Sequence, residues 1–116
     1  MIPYKQRFHG HGSLRYLYRN GDAVRSRTVT IKYITNPMRK NHRLAVVISK
    51  KVLKSAVRRN RVRRRIYEIM RLEMTKIDKP QDIALLVFSS EVLSMSHDEL
   101  KTTIKHLLNQ AGLYQN

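Results

Sequence analysis

Nine positively charged side chains fall within the sixteen residues from Lys50 to Arg65, and no acidic residue interrupts them. Arginine predominates in the second half of this segment, and its planar guanidinium suits paired contacts with phosphate oxygens and stacking on exposed bases. Asn60 adds a neutral donor and acceptor that can address sugar hydroxyls or base edges. These residue types at this density indicate a surface that binds a polyanion.

A solvated charged face is the ordinary alternative for a run of like charges. Solvated helices usually mix positive and negative side chains at i and i+4, which gains small pair energies, whereas an uninterrupted positive run loses similar amounts. A polyanionic partner removes that repulsion. We therefore interpret the run as a binding surface rather than as a solvated face.

The charge of the whole chain supports the same interpretation. Lys and Arg total 24 against 8 Asp and Glu, which gives a net charge of +16. Residues 1–67 carry a net charge of +18 and residues 68–116 carry −2, so the anion-binding surface should come from the first two thirds of the chain. An apolar content of 41% is compatible with a folded core and does not suit a disordered basic tail.

Length and cysteine content limit the domain organisation and the compartment. The 116 residues suit one domain, which we place at 13–116 after a basic N-terminal arm at 1–12. The chain has no cysteine, which excludes disulfides and thiolate metal ligands and is typical of a reducing cytoplasm. The sequence shows neither a signal-length apolar run nor a membrane-spanning one. We therefore expect a cytoplasmic protein without a membrane partner.

Other arrangements that could do chemistry are weak. His9 and His11 flank a glycine, but two histidines without further clustered ligands are more often loop residues than a metal site. The sequence Ser96-His97-Asp98 contains the residue types of a hydrolase triad, yet neighbouring helical residues do not face one another, and helix capping explains them. We expect no catalytic residue and no metal site in the protein.

A helix at about 55–74 must present the basic segment, because apolar residues recur there at i, i+4, i+7 and i+8. These residues are Val62, Ile66, Ile69 and Met70. At 100° per residue, Asn60, Arg64 and Arg71 lie within about 20° of the pole opposite Val62. Cations therefore surround an apolar stripe that docks on the rest of the domain.

The remaining pattern predicts the order α-β-β-(β)-α-β-α. A short amphipathic helix is expected between a capping Ser13 and a terminating Gly21, and a further short strand at 22–26. An alternating strand at 27–35 and an apolar strand at 43–49 are expected to form an antiparallel hairpin. The apolar run at 83–88 predicts a central strand covered on both faces, and Ser96 begins a capped last helix.

The segment Ser49-Lys50-Lys51, followed by Ala56-Val57-Arg58-Arg59-Asn60-Arg61-Val62-Arg63-Arg64, resembles the signature of the bacterial ribonuclease P protein family, built around Arg-Asn-Arg. The similarity extends over most of the chain, with the other elements in family order. The resemblance implies an α+β fold: a single-domain α/β sandwich whose mixed sheet has a left-handed β-α-β crossover, similar to the ribosomal protein S5 domain 2-like fold. That handedness departs from the usual rule.

The resemblance also implies a function, that of the protein subunit of ribonuclease P. In this family the RNA subunit is the catalyst and uses RNA-held Mg²⁺ to remove the 5′ leader of precursor tRNA. The protein binds both RNAs, holds no cofactor by itself and has no expected DNA partner. The residues that match the motif for the RNA subunit are Lys50, Lys51, Arg58, Arg59, Asn60, Arg61, Arg63 and Arg64.

A cleft between the first helix and the open sheet face binds the leader in this family. The residues at matching places here are Leu14, Leu17, Tyr18, Thr30 and Lys32. Leu14 and Lys32 stand where relatives often carry aromatics, so leader binding should depend more on charge and on Tyr18. Tyr67 departs from the family's basic series and puts one outer RNA contact in doubt. Plain core packing of the first helix is the alternative for Leu14, Leu17 and Tyr18.

Two other functions compete with this hypothesis. A basic ribosomal protein, or another single-stranded RNA binder, would have the charge without any linked cleavage. A protein-only nuclease would cleave RNA with magnesium and without an RNA partner. The Arg-Asn-Arg block favours the ribonuclease P subunit over both.

Overall fold

The computed structural model of this protein describes residues 11–37 and 40–114. Three α-helices and four strands alternate along the chain, with a 3₁₀ turn at Met74–Lys76 and a 3₁₀ helix at Ser90–Ser94. The main elements are α1 (His11–Asn20), β1 (Asp22–Arg25), β2 (Val29–Thr35), β3 (Arg43–Ile48), α2 (Ala56–Glu73), β4 (Gln81–Val87) and α3 (His97–Gln110). This order, and the α+β class with a mixed sheet, confirm the prediction.

The four strands form one sheet in the order β1-β2-β4-β3. β4 pairs antiparallel with β2 and parallel with β3, so it is central, as its unbroken apolar run predicted. The expected hairpin between β2 and β3 is wrong, because β4 lies between them. A strand that is apolar on both faces is stabilised most by two neighbours, and the turn residues after β2 fix only a change of chain direction.

One face of the sheet carries the main core. Alternate side chains of the strands point to this face, and α2 and α3 cover it. Fully buried members from the sheet are Val29, Ile31, Leu44, Ile83 and Leu85. α3 begins with the predicted capping box between Ser96 and Glu99, and Gly112 follows it with a φ of 72°, a conformation that favours glycine.

Among the described elements, α1 packs on part of the opposite face. This helix contacts β2 and β4, and Leu17 is its fully buried residue. The chain turns sharply after α1 at Gly21, where a Cβ atom would lie 2.7 Å from Leu17 O and 2.8 Å from Tyr33 O. A residue without a side chain is therefore required for α1 to approach the sheet this closely.

The start of α1 corrects one expectation. The helix begins at His11, so Ser13 lies inside it rather than at its N cap, and the arm predicted for residues 1–12 is shorter at its end. Residues 1–10 lie outside the described part of the chain. Within the described residues, no helix combines the length and the apolar character that a membrane span requires.

Candidate nucleic-acid interface

The basic helix is α2, and its local sequence explains where it begins. Ser55 precedes the first turn and its Oγ accepts a hydrogen bond from Arg58 N at 3.3 Å. No acidic residue lies in that turn, so the positive end of the helix dipole is left uncompensated by the protein. All four residues of the predicted apolar stripe are buried against the rest of the domain: Val62, Ile66, Ile69 and Met70.

The polar side of α2 faces outward as predicted. Asn60, Arg64 and Arg71, which should lie opposite the stripe, are all exposed. Asn60 Oδ1 accepts a hydrogen bond from Arg63 Nη1 at 2.8 Å, which fixes the carboxamide on the helix surface. This engagement of the oxygen leaves the amide nitrogen as the group that donates to a partner.

Arg59 and Arg65 are bound within the protein, which the sequence did not indicate. Arg59 Nη1 donates to Leu53 O at 2.8 Å and to Lys54 O at 2.9 Å. Arg65 donates from Nη1 to Val92 O at 3.3 Å and from Nη2 to Met95 O at 2.8 Å. Both side chains edge the apolar stripe and are therefore close enough to reach neighbouring backbone carbonyls. They hold α2 to the segments before it and before α3.

The positive surface ends near the last turns of α2. Arg71 donates to Glu68 at 2.7 Å, and this hydrogen bond lowers the pKa of the Glu68 carboxyl. Tyr67 is half-buried and packs against the core, so its side chain does not extend the positive surface. The exposed cations are thus concentrated in the first half of the helix.

A short loop extends the positive surface beyond the N-terminus of α2. Ser49 O accepts from the backbone N–H groups of Val52 and Leu53, each at 3.1 Å, which turns the chain after β3. Lys50 and Lys51 are exposed on this turn. Of the eight residues predicted for the RNA subunit, Arg59 and Arg63 are half-buried and six are exposed: Lys50, Lys51, Arg58, Asn60, Arg61 and Arg64.

The five predicted cleft residues do not share one environment. Leu17 and Thr30 are buried, at 0% and 4% exposure, so their side chains are not accessible to a ligand. Leu14 is half-buried and Tyr18 is exposed. For Leu17, the alternative of plain core packing is therefore the correct one.

Lys32 and Tyr18, two of the predicted cleft residues, contact each other. Lys32 Nζ donates to Tyr18 O at 3.1 Å and lies 5.5 Å from the centre of the Tyr18 ring. Burial raises the pKa of the Tyr18 hydroxyl, so the ring is neutral at physiological pH. The pair offers a cation and an aromatic surface at the same point beside α1.

Sequence reasoning missed the open part of this sheet face. Strand pairing places Thr30, Leu86 and Val47 in one row across the sheet. Leu86 and Val47 are half-buried, and Phe88 beyond them is exposed. Period-two alternation along β4 was the available signal, because it assigns residues 86 and 88 to the face opposite Val87.

Acidic and histidine side chains are dispersed across the described ranges. No group of three or more His, Asp or Glu residues within them is close enough together to hold a metal ion. His9 lies outside these ranges, so the expectation about His9 and His11 stays a prediction.

Comparison with known proteins gives one family. A sequence model described as Ribonuclease P matches residues 2–112. The chain is 30% identical to the Ribonuclease P protein component of Synechococcus sp. (strain RCC307), over 97% of each chain. It is 37% identical to that of Thermus brockianus, over 84% of this chain and 55% of the Thermus protein. A solved Staphylococcus aureus RNase P protein mutant superposes with a TM-score of 0.85 at 24% identity, covering 95% of this chain and 91% of that one.

Proposed function

The chain belongs to the ribonuclease P protein family, and we propose that it is the subunit that binds the catalytic RNA and the 5′ leader of precursor tRNA. The observation that carries the proposal is the outward ridge of α2. Asn60, Arg61 and Arg64 are exposed there, while the opposite stripe of the same helix is fully committed to the core. The helix is thus anchored on one side and available on the other.

Electrostatics explains how this surface would assist cleavage. A precursor tRNA and an RNA subunit repel each other through their phosphates, and a cationic surface between them lowers that repulsion. Binding through phosphate contacts releases counterions, so affinity should fall steeply as salt rises. The N-terminus of α2, whose first turn has no acidic residue, and the adjacent Lys50 and Lys51 add positive potential at the same end of the helix.

The second surface of the proposal is the cleft beside α1. In this proposal Leu14, Tyr18 and Lys32 would line it, and the row of Leu86 and Val47 would continue it across the sheet. An unpaired leader can stack and hydrogen-bond there, whereas a paired strand cannot offer its bases. The cleft lies on the sheet face opposite α2, so the two RNAs would contact different sides of the domain.

Catalysis is assigned to the RNA subunit in this proposal, and Mg²⁺ to the assembled RNA–protein enzyme. The acids of α2 are already engaged within the protein: Glu68 pairs with Arg71, and buried Glu73 accepts from the Tyr114 hydroxyl at 2.8 Å. Mg²⁺ would supply charge neutralisation at the scissile phosphate. The part of this chain would be to bind and orient the substrate, and DNA is not proposed as a partner.

The decisive experiment adds the purified chain to its cognate RNA subunit at low magnesium and measures 5′ maturation of a precursor tRNA. We expect cleavage to depend on the protein under these conditions. Unchanged maturation with and without the chain would refute the proposal.

Paired variants test the ridge itself. Arg61→Ala with Arg64→Ala removes two exposed charges of α2, and Lys101→Ala with Lys105→Ala removes two charges from α3. We expect the first pair to weaken binding of the RNA subunit and to reduce the slope of log affinity against log salt by about two units. The second pair should leave both quantities close to the parent values.

The rival functions have their own assays. Recovery of ribosomal or unrelated single-stranded RNA with the chain, and not of the catalytic RNA, would favour a pure binding module. The solved Staphylococcus aureus protein is described as a mutant with defective mRNA degradation activity, and that description applies to the Staphylococcus protein alone. Incubation of this chain alone with magnesium and RNA tests a protein-only nuclease here, and we expect no cleavage.

A further inference from the structure

Phe88 and Tyr16 are the two most exposed aromatic side chains in the described part of the fold, and Phe88 is the one that adjoins the sheet. Its exposed fraction is 61%, although it directly follows the buried central strand β4. An isolated exposed apolar residue is ordinary on a protein surface. Phe88, however, lies at the end of the open sheet face, where an exposed ring could bind a ligand.

The backbone at Phe88 is held in register with the sheet. Phe88 N donates to Thr28 O at 2.9 Å, which continues the β2–β4 pairing one residue beyond Val29 and Val87. Val87 belongs to the main core, so alternation turns Phe88 to the opposite face, which α1 covers only in part. Phe88 therefore follows Leu86 on the same face, one row beyond it at the end of the sheet.

Two positive charges follow the neighbouring strand at this end of the sheet. β3 runs parallel to β4 with Ile48 beside Val87, so the two strands leave the sheet together. Lys50 and Lys51 follow β3 and are exposed at this exit. An aromatic side chain at this end of the sheet suits a ligand with a flat apolar face, and the net charge of +16 suits one with a negative backbone.

We propose that Phe88 stacks on an unpaired base of the precursor's 5′ leader and supplies the aromatic platform that Leu14 and Lys32 do not. This inference rests on the proposed function and adds to it one recognition residue. Every nucleobase has a face that can stack, so the contact would be tolerant of leader sequence.

A protein partner fits the same residue less well. One aromatic side chain buries at most about 250 Å². A stable protein interface buries roughly 1,200 Å² or more, and two copies of a chain with a net charge of +16 repel each other. The charge of the surroundings thus favours single-stranded RNA.

The test is a double-mutant cycle with the assembled RNA–protein enzyme. Affinity is measured for a precursor tRNA, for the same tRNA without its leader, and for precursors with one abasic leader nucleotide at a time. Phe88→Ala should weaken precursor binding by about 5- to 150-fold, the loss of one stacked base, and leave the leaderless tRNA unchanged. One abasic position should weaken binding to the parent enzyme and have no further effect on the variant.

Conservative variants separate stacking from volume. Phe88→Trp should retain the parent affinity, and Phe88→Leu, which keeps an apolar side chain of similar size, should lose most of it. Leu72→Ala is the matched control, since Leu72 is an exposed apolar residue, 46% accessible, near the other end of α2. It should behave as the parent protein in every arm.

The possible outcomes separate failure of the Phe88 inference from failure of the proposed function. If the parent enzyme discriminates precursor from leaderless tRNA and Phe88→Leu does so equally well, the inference is overturned and the proposed function stands. The same holds if Phe88→Leu is weaker but uncoupled from every abasic position. If the parent enzyme shows no leader dependence at all, the leader part of the proposed function fails first.

Discussion

The guanidinium of Arg59 is hydrogen-bonded to the carbonyl oxygen of Leu53, with Nη1 at 2.8 Å from that oxygen. The same nitrogen also donates to Lys54 O. One arginine of the Arg-Asn-Arg block therefore holds the loop that leads into α2, whereas Arg61, two residues later, is exposed. The two arginines of the motif should consequently differ in what their removal changes.

We predict that Arg59→Ala lowers the free energy of unfolding by about 1 kcal/mol, because two carbonyls lose a charged donor at a half-buried site. Arg61→Ala should change it by less than about 0.5 kcal/mol and reduce the salt slope of RNA binding by about one unit. Urea denaturation and salt titrations measure the two quantities. Equal losses of stability in both variants would contradict this division.

Arg43 and Asp82 form a buried pair at the other end of the β3–β4 ladder. Their side chains are 10% and 8% exposed, with Nη2 2.7 Å from Oδ2, and Asn36 also donates to Asp82 at 2.8 Å. Asp82→Asn would leave a buried guanidinium without its counter-charge. We expect a loss of about 3 kcal/mol or more in the free energy of unfolding.

Glu91→Gln is the matched control for that substitution. It also replaces a carboxylate by an amide, and it breaks the exposed pair with Arg27, whose atoms are 2.9 Å apart. Exposed pairs contribute little, so the loss should stay below about 1 kcal/mol. Equal losses of stability in urea denaturation would contradict the prediction that the buried pair contributes more than the exposed one.

His42 should make the stability depend on pH. Its Nδ1 accepts a hydrogen bond from Gln81 N at 3.0 Å, and burial lowers its pKa below the ordinary 6.5, against the opposing effect of a backbone hydrogen bond with Ile77. The unfolded chain therefore binds a proton at a higher pH than the folded protein does. The contribution of His42 to stability is complete above pH 6.5 and decreases as the pH falls below it.

The variant His42→Gln tests this dependence, because a glutamine can accept the same hydrogen bond and does not titrate. The free energy of unfolding should fall less between pH 7 and pH 5 in this variant than in the parent protein. His106→Gln, an exposed substitution on α3, should follow the parent. A parent-like decrease in the His42 variant would disprove the assignment.

Substitution of Gly21 should lower the stability of the fold and weaken leader binding together. A Cβ atom at this position would meet Leu17 O and Tyr33 O, neither of which can move without displacing a helix or a strand. We expect Gly21→Ala to cost about 1 to 3 kcal/mol and to weaken binding of the leader more than binding of the RNA subunit. Affinities for precursor and leaderless tRNA measure the difference.

Gly112→Ala controls for the loss of stability alone. Its φ of 72° strains any L side chain, so the variant should be destabilised by roughly 1 to 2 kcal/mol without moving α1. Leader discrimination should then stay at the parent level. Loss of discrimination in both variants would trace the effect to stability rather than to the position of α1.

Local patterns in the sequence were sufficient for most elements and for the orientation of α2. The spacing from Val62 to Met70 determined which side of α2 is buried, because a helix repeats every 3.6 residues whatever it packs against. The unbroken apolar run around Leu85 likewise identified the central strand, and Ser96 with Glu99 determined where α3 begins. The Arg-Asn-Arg block alone indicated the family.

Tertiary structure decided what depends on residues distant in sequence. β4 separates β2 from β3, and no local pattern in either strand encodes which partner it will have. Likewise, Arg59 and Arg61 are equivalent as residue types, and only the carbonyls within reach of each guanidinium differ. Leu17 and Thr30 are buried and Phe88 is exposed because α1 covers part of one sheet face, an arrangement that exists only once the chain has folded.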